Sequence, residues 1–181
     1  RKHNPEFTML EWYRVGWDHR QLIEECVELV QQIFALQEIG LQVVRLSYHD
    51  LFIRHIGLDP HSAGDDGLYA AVQASQCALA KIRDGLTPVA ERFELYLGGI
   101  ELANGYHELT DAVEQKRRFQ DDAALRQARG LPSPALDERL IASLQHLPDC
   151  AGVAMGIDRL MMSLLKAQSI SDVVAFDFSR A

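Results

Sequence analysis

Apolar positions along the chain fall into two alternating registers. Residues 4–14 read Asn-Pro-Glu-Phe-Thr-Met-Leu-Glu-Trp-Tyr-Arg. Pro5 interrupts any helix, and the aromatic and branched residues behind it suit a strand. Phe7, Met9 and Glu11 share one side of that strand, so a carboxylate sits beside apolar groups. After Asp18, a good helix N-cap, the period becomes helical. Leu22, Cys26, Leu29 and Ile33 form one stripe, flanked by Ile23, Val27, Val30 and Phe34. Gly40 is the expected stop. A short strand and then a helix from near Ser47 follow, with Leu51, Phe52, His55 and Ile56 turned inward. Residues 57–67 read as a loop, and Leu68–Ala80 suits either strand or helix.

Residues 91–104 carry the clearest pattern. Glu91 to Leu97 alternates, Gly98-Gly99 is a two-residue hairpin turn, and Ile100 to Asn104 returns. A regular hairpin pairs Leu97 with Ile100, Tyr96 with Glu101, Leu95 with Leu102 and Glu94 with Ala103. Phe93, Leu95, Leu97, Ile100 and Leu102 then face the core, and Glu94, Tyr96 and Glu101 face away. Thr110 to about Gln127 is a charged helix. Residues 137–147 form an amphipathic one, with Leu140, Ile141, Leu144 and Leu147 inward. Gly152 to Ile157 reads as a glycine-interrupted buried strand. It leads into a helix from Asp158 to Lys166, with Leu160, Met161 and Leu164 apolar.

Three constellations could carry chemistry. Glu94 and Glu101 lie diagonally on one hairpin face, where two carboxylates can converge on a hard divalent cation such as Mg²⁺. On spacing alone, two ordinary glutamates on a solvated sheet face are the plainer reading. Gly105 is expected to break the second strand, returning Asn104 and Glu108 to the carboxylate side, where the two could read an amine. A turn asparagine before a capping segment is the plainer reading. In Gly152-x-Ala154-x-Gly156-Ile157-Asp158-Arg159 the glycines allow close approach to backbone, and Arg159 could reach a phosphate. Close strand–helix packing explains the same glycines.

Composition narrows the function. The chain has 181 residues, 48% hydrophobic and 24% charged, with a formal charge of −8. Lys116-Arg117-Arg118 is the densest basic run and reads as a solvated helix face, so a nucleic-acid partner is not expected. The cysteines Cys26, Cys77 and Cys150 are widely spaced, which suits a reducing cytoplasm rather than a disulfide framework. No apolar run is long enough to span a membrane.

The motifs together resemble a known family. His3-Asn4-Pro5-Glu6-Phe7-Thr8-Met9-Leu10-Glu11-Trp12-Tyr13 resembles the second half of motif 2 of class II lysyl-tRNA synthetases. Glu91-Arg92-Phe93-Glu94, Gly99-x-Glu101-x2-Asn104-Gly105 and Glu108-Leu109-x-Asp111 resemble their ATP- and lysine-binding hairpin. Gly152 to Arg159 is similar to motif 3. Leu10-Glu11-Trp12-Tyr13-Arg14, Gly99 to Gly105 and Asp149-Cys150-x-Gly152-Val153-Ala154 are closer to the stand-alone paralogues, the elongation factor P–lysine ligase family.

The resemblance implies an α+β fold, a class II synthetase-like antiparallel sheet flanked by helices, as one catalytic core over residues 1–181. It implies ATP and Mg²⁺, activation of lysine or (R)-β-lysine, elongation factor P as acceptor, and a homodimer in the complete protein. By resemblance, His3, Asn4, Phe7, Glu94, Leu95, Gly156 and Arg159 bind ATP, and Glu94 and Glu101 hold the metal. Glu11, Tyr13, Glu101, Asn104, Glu108 and Ala154 line the amino-acid pocket, and Arg159 and Glu101 are catalytic. Lysyl-tRNA synthetases carry Gly where this chain has Ala154. A lysyl-tRNA synthetase catalytic domain, or a truncated non-catalytic paralogue that binds nucleotide or a protein partner, are the alternatives. Motif 1 and the first half of motif 2 are missing from the sequence, and the span from Pro60 to Ala74 is several tens of residues shorter than in the family.

Overall fold

The computed structural model describes residues 4–57, 79–83, 88–133 and 135–178. His3, Cys77, the loop expected at 57–67 (beyond Gly57 itself) and most of Leu68–Ala80 lie outside them. The strands are β1 (Met9–Val15), β2 (Ile82–Arg83), β3 (Val89–Ala90), β4 (Arg92–Leu97), β5 (Ile100–His107) and β6 (Cys150–Gly156). The helices are α1 (His19–Ala35), α2 (Tyr48–Ile56), α3 (Ala112–Ala128), α4 (Glu138–Leu144) and α5 (Ile157–Leu165). The chain forms two compact units, one of residues 1–41, 92–108 and 149–181, the other of 42–91 and 109–148.

The first unit is built on a four-stranded antiparallel sheet in the order β1-β6-β5-β4. α1 begins where expected: the Asp18 carboxylate accepts from the backbone N–H of Arg20 and Gln21, and Gln21 reaches back to complete a capping box. Its stripe of Leu22, Cys26, Val30 and Phe34 packs with Ala103, Ala151, Val153 and Met155 of the sheet and Leu160 of α5. Each such large side chain contributes roughly 1.5–3 kcal/mol on burial. α1 ends at Ala35 rather than at Gly40. The chain turns through Glu38, whose φ is +58°, and the Ile39 N–H donates to the Phe34 carbonyl. Ile39 then packs on the core, so an apolar residue folding back ends the helix before the glycine is reached.

The hairpin turn is as expected, with Gly98 and Gly99 both left-handed (φ +57° and +75°) as a type I′ turn requires. Its register differs from the regular one. Leu97 pairs with Ile100 and Tyr96 with Glu101, but Leu95 pairs with Ala103 and Glu94 with Asn104. Leu102 is an extra residue in β5, a bulge, and it is buried together with its neighbour Ala103. The strand does not break at Gly105 and runs on to His107.

In the second unit, Ser47 and Asp50 form the capping box of α2. The short strand expected just before it is not formed at residues 43–46, and Leu51 and His55 are exposed rather than inward. β2 and β3 form a two-stranded ribbon. α3 is capped by Asp111 and held by charge: Arg117 and Arg118 pair with Glu114, Arg117 with Asp121, and Lys116 with Glu138 of α4. Hydrogen bonds from Arg117 and Arg118 pull the Glu114 carboxyl down to about 2. Ile141 and Leu144 are buried, whereas Leu140 is exposed. Among the described residues no helix is long and apolar enough to cross a membrane.

Candidate active site

Sheet register builds the site. Glu94 lies across from Asn104, Asn104 from Ala154, and Ala154 from Glu11. Two residues along, Arg92, Tyr106, Gly152 and Tyr13 form the next row on that face. The bulge explains why Glu101 and Asn104, three residues apart, both belong to it. A regular strand places residues three apart on opposite faces, and one inserted residue cancels the inversion. Asn104 therefore reaches the expected side by a bulge at Leu102 and not by a break at Gly105.

A cavity of about 420 Å³ opens on this face. Asn4, Phe7, Glu101, Asn104, Ala154, Gly156 and Arg159 line it, seven of the residues singled out in the sequence. Phe7 is 61% exposed, leaving its ring available for stacking. Arg159 sits in the first turn of α5, with its methylenes alongside Gly156, and its Nη1 donates to the Glu101 carbonyl at 3.0 Å. The backbone of Thr8 is stitched to the start of α5. Its N–H donates to Asp158 Oδ2 at 2.7 Å, and its carbonyl accepts from Ile157 N–H. Asn4 uses its amide internally, donating to the Glu6 carbonyl and accepting from the Phe178 N–H.

Tyr13 and Glu108 converge over Gly152. A Cβ at position 152 would lie 2.5 Å from Glu108 Oε1 and 2.5 Å from Tyr13 Cε1. The glycine is thus the space these two side chains occupy. Burial pushes the Glu108 carboxyl up to about 7, against a smaller opposing effect of His107. Among the described residues Glu108 has no ion-pair partner. Partial burial, then Glu108 and Glu11, raise the Tyr13 hydroxyl. The arrangement suits a cation that the described residues do not supply.

Glu94 is engaged. Its carboxylate accepts from the Arg92 guanidinium and, at 2.7 Å, from the Tyr96 hydroxyl. Glu101 carries no ion pair among the described residues. One available carboxylate facing a cavity beside an arginine fits Mg²⁺, which takes one or two protein carboxylates and completes its shell with phosphate oxygens and water. Leu95 packs against the core, so only its backbone is placed to serve a nucleotide. Arg92 and Tyr106 carry no assigned role in the sequence reading, which placed Tyr96 on the carboxylate face and Gly152 in the glycine-rich strand. Arg92 shares the alternation of Glu94, and that signal could have found it.

A family model described as tRNA synthetases class II (D, K and N) matches residues 69–180. An elongation factor P–(R)-beta-lysine ligase of Pectobacterium carotovorum is 41% identical over 224 aligned positions, covering all of this chain and 68% of the relative. Ligases of the same name from Yersinia enterocolitica and Salmonella typhi are each 42% identical with the same coverage. The 224 positions exceed the 181 residues of the chain, so the relatives carry residues without counterpart here. Motif order, sheet and relatives agree: the chain belongs to the class II tRNA synthetase family, in the ligase branch that these relatives form.

Proposed function

We propose that this chain is one catalytic core, part of a cytoplasmic homodimeric ligase, that activates lysine or (R)-β-lysine with ATP and passes it to a lysine of elongation factor P. The observation that carries this reading is the convergence of Glu108 and Tyr13 over Gly152, on the face where the Arg159 cavity opens. Glu108 would take the ammonium at the far end of the amino acid, with Tyr13 and Glu11 beside it. Asn104 and Ala154 would line the same pocket, and Phe7 would stack on adenine. The substrate carboxylate attacks the α-phosphorus, the bond to the β-phosphate bridging oxygen breaks, and pyrophosphate leaves. The acceptor amine then attacks the acyl carbon and AMP departs.

No side-chain nucleophile is needed, so alignment and charge stabilisation supply the rate. Arg159 compensates phosphate charge, and Glu101 with Glu94 would hold Mg²⁺, which neutralises the phosphates when bound. Because Arg92 also claims Glu94, the larger share of the metal falls to Glu101. Ala154 adds a methyl where lysyl-tRNA synthetases have none, enough to shift preference among similar amino acids by ~1–3 kcal/mol.

The test is ATP–pyrophosphate exchange with lysine and with (R)-β-lysine, followed by transfer to elongation factor P or to tRNA. Exchange with either amino acid and labelling of the protein acceptor are expected. Charging of tRNA would mark a lysyl-tRNA synthetase core, and no exchange would mark a non-catalytic relative. Glu101→Gln should abolish exchange in the complete protein, and near-normal exchange in that variant would refute its metal role.

A further inference from the structure

Arg92 contacts the site face without lining the cavity. Its Nη2 donates to Glu94 Oε1 and, at 3.4 Å, to Asn104 Oδ1, and its guanidinium lies 5.5 Å from the centre of the Tyr106 ring. Only 12% of the side chain is exposed. An arginine has donors and no acceptor, so the Asn104 amide can meet it only through its oxygen. The NH₂ end of that amide is then the end left for the cavity, which Asn104 lines.

We propose that Arg92 is a positioning residue, which fixes the Asn104 amide so that its NH₂ faces the cavity and selects ligands bearing a carboxylate. This rests on the reading of the cavity as an amino-acid site and adds a polarity to it. The ammonium groups of a diamino acid are donors only, so a donor-facing amide has no use for them. The carboxylate is the part of such a ligand that can accept. Glu108, over Gly152 in the neighbouring row of the same face, takes the opposite charge. Arg92 thus sorts the two ends of the substrate indirectly, by denying Asn104 its second orientation. Stacking on Tyr106 and the ion pair with Glu94 keep the guanidinium in place.

The test is equilibrium binding to the full chain without nucleotide or metal, comparing lysine and (R)-β-lysine with cadaverine, the diamine that lacks the carboxylate. Arg92→Met should weaken the amino acid that binds by about tenfold, the low end for a hydrogen bond to a charged group. Cadaverine binding should stay within about twofold, because the diamine makes no use of the amide NH₂. Equal weakening of both, or no weakening of the amino acid, overturns the proposal, since a general loss of structure strikes both ligands alike. If the unaltered chain binds neither amino acid, the amino-acid reading fails. The Asn104 side-chain amide signals in a nitrogen-15 spectrum then decide the role of Arg92. A shift of those signals in Arg92→Met supports it, and unmoved signals overturn it.

Discussion

A carboxylate that titrates near neutrality ties stability and binding to pH in opposite senses. Glu108 is raised from an ordinary 4.5 to about 7 by burial, with Tyr13 of β1, Cys150 of β6 and His107 as its titratable neighbours. A group whose folded value is raised stabilises the fold when protonated, and that contribution is lost as pH rises from about 4.5 through about 7. Glu108→Gln should therefore leave stability near unchanged at pH 5 and raise it by roughly 1–3 kcal/mol at pH 8, read by denaturant titration at both values. Ligand binding should run the other way. The amine end of lysine needs the ionised carboxylate, so affinity should climb between pH 5.5 and 8, and the Gln variant should flatten that climb. A Glu108 that titrates with its ordinary value would remove both effects.

At the scale of elements, caps and turns were the legible part. Asp18, Ser47 and Asp111 each cap the helix expected behind them, because a side-chain oxygen in that position satisfies N–H groups that have no other partner. Asp18→Ala should cost about 1 kcal/mol, measured by chemical denaturation, with no change in ligand affinity. The hairpin turn was legible for a similar local reason. Its register was not. Both Leu102 and Ala103 are apolar and buried, so the alternation that reveals strand faces carries no trace of the inserted residue. The pairing of Arg92 with Glu94 shows in the sequence only as a shared strand face, since residues two apart on β4 point the same way; that the guanidinium also reaches Asn104 depends on the bulged register. Of the face expected inward on α2, Phe52 is half-buried but Leu51 and His55 stay exposed, because the period is helical whether or not anything packs on it.

Taken whole, the molecule is acidic, and its densest basic run is spent on itself. Lys116, Arg117 and Arg118 each pair with a carboxylate of their own unit. Little of that charge is left to neutralise phosphates, so the chain should not retard tRNA in a gel at physiological salt, and micromolar retention would contradict a protein acceptor. The whole chain also bears on how this site could have changed over time. The sheet carries two glycines whose vacancies are filled by neighbours, Phe93 over Gly105 and Tyr13 with Glu108 over Gly152. They are not equivalent. At 152 the nearest obstacles are all side chains, whereas at 105 the Gly152 carbonyl lies only 3.0 Å away as well. A larger residue at 152 needs both Tyr13 and the Glu108 carboxylate to give way, and that trade reshapes the pocket. At 105 no change of side chain moves the backbone oxygen. Evolution toward a different amino acid therefore has an open route at 152 and a closed one at 105.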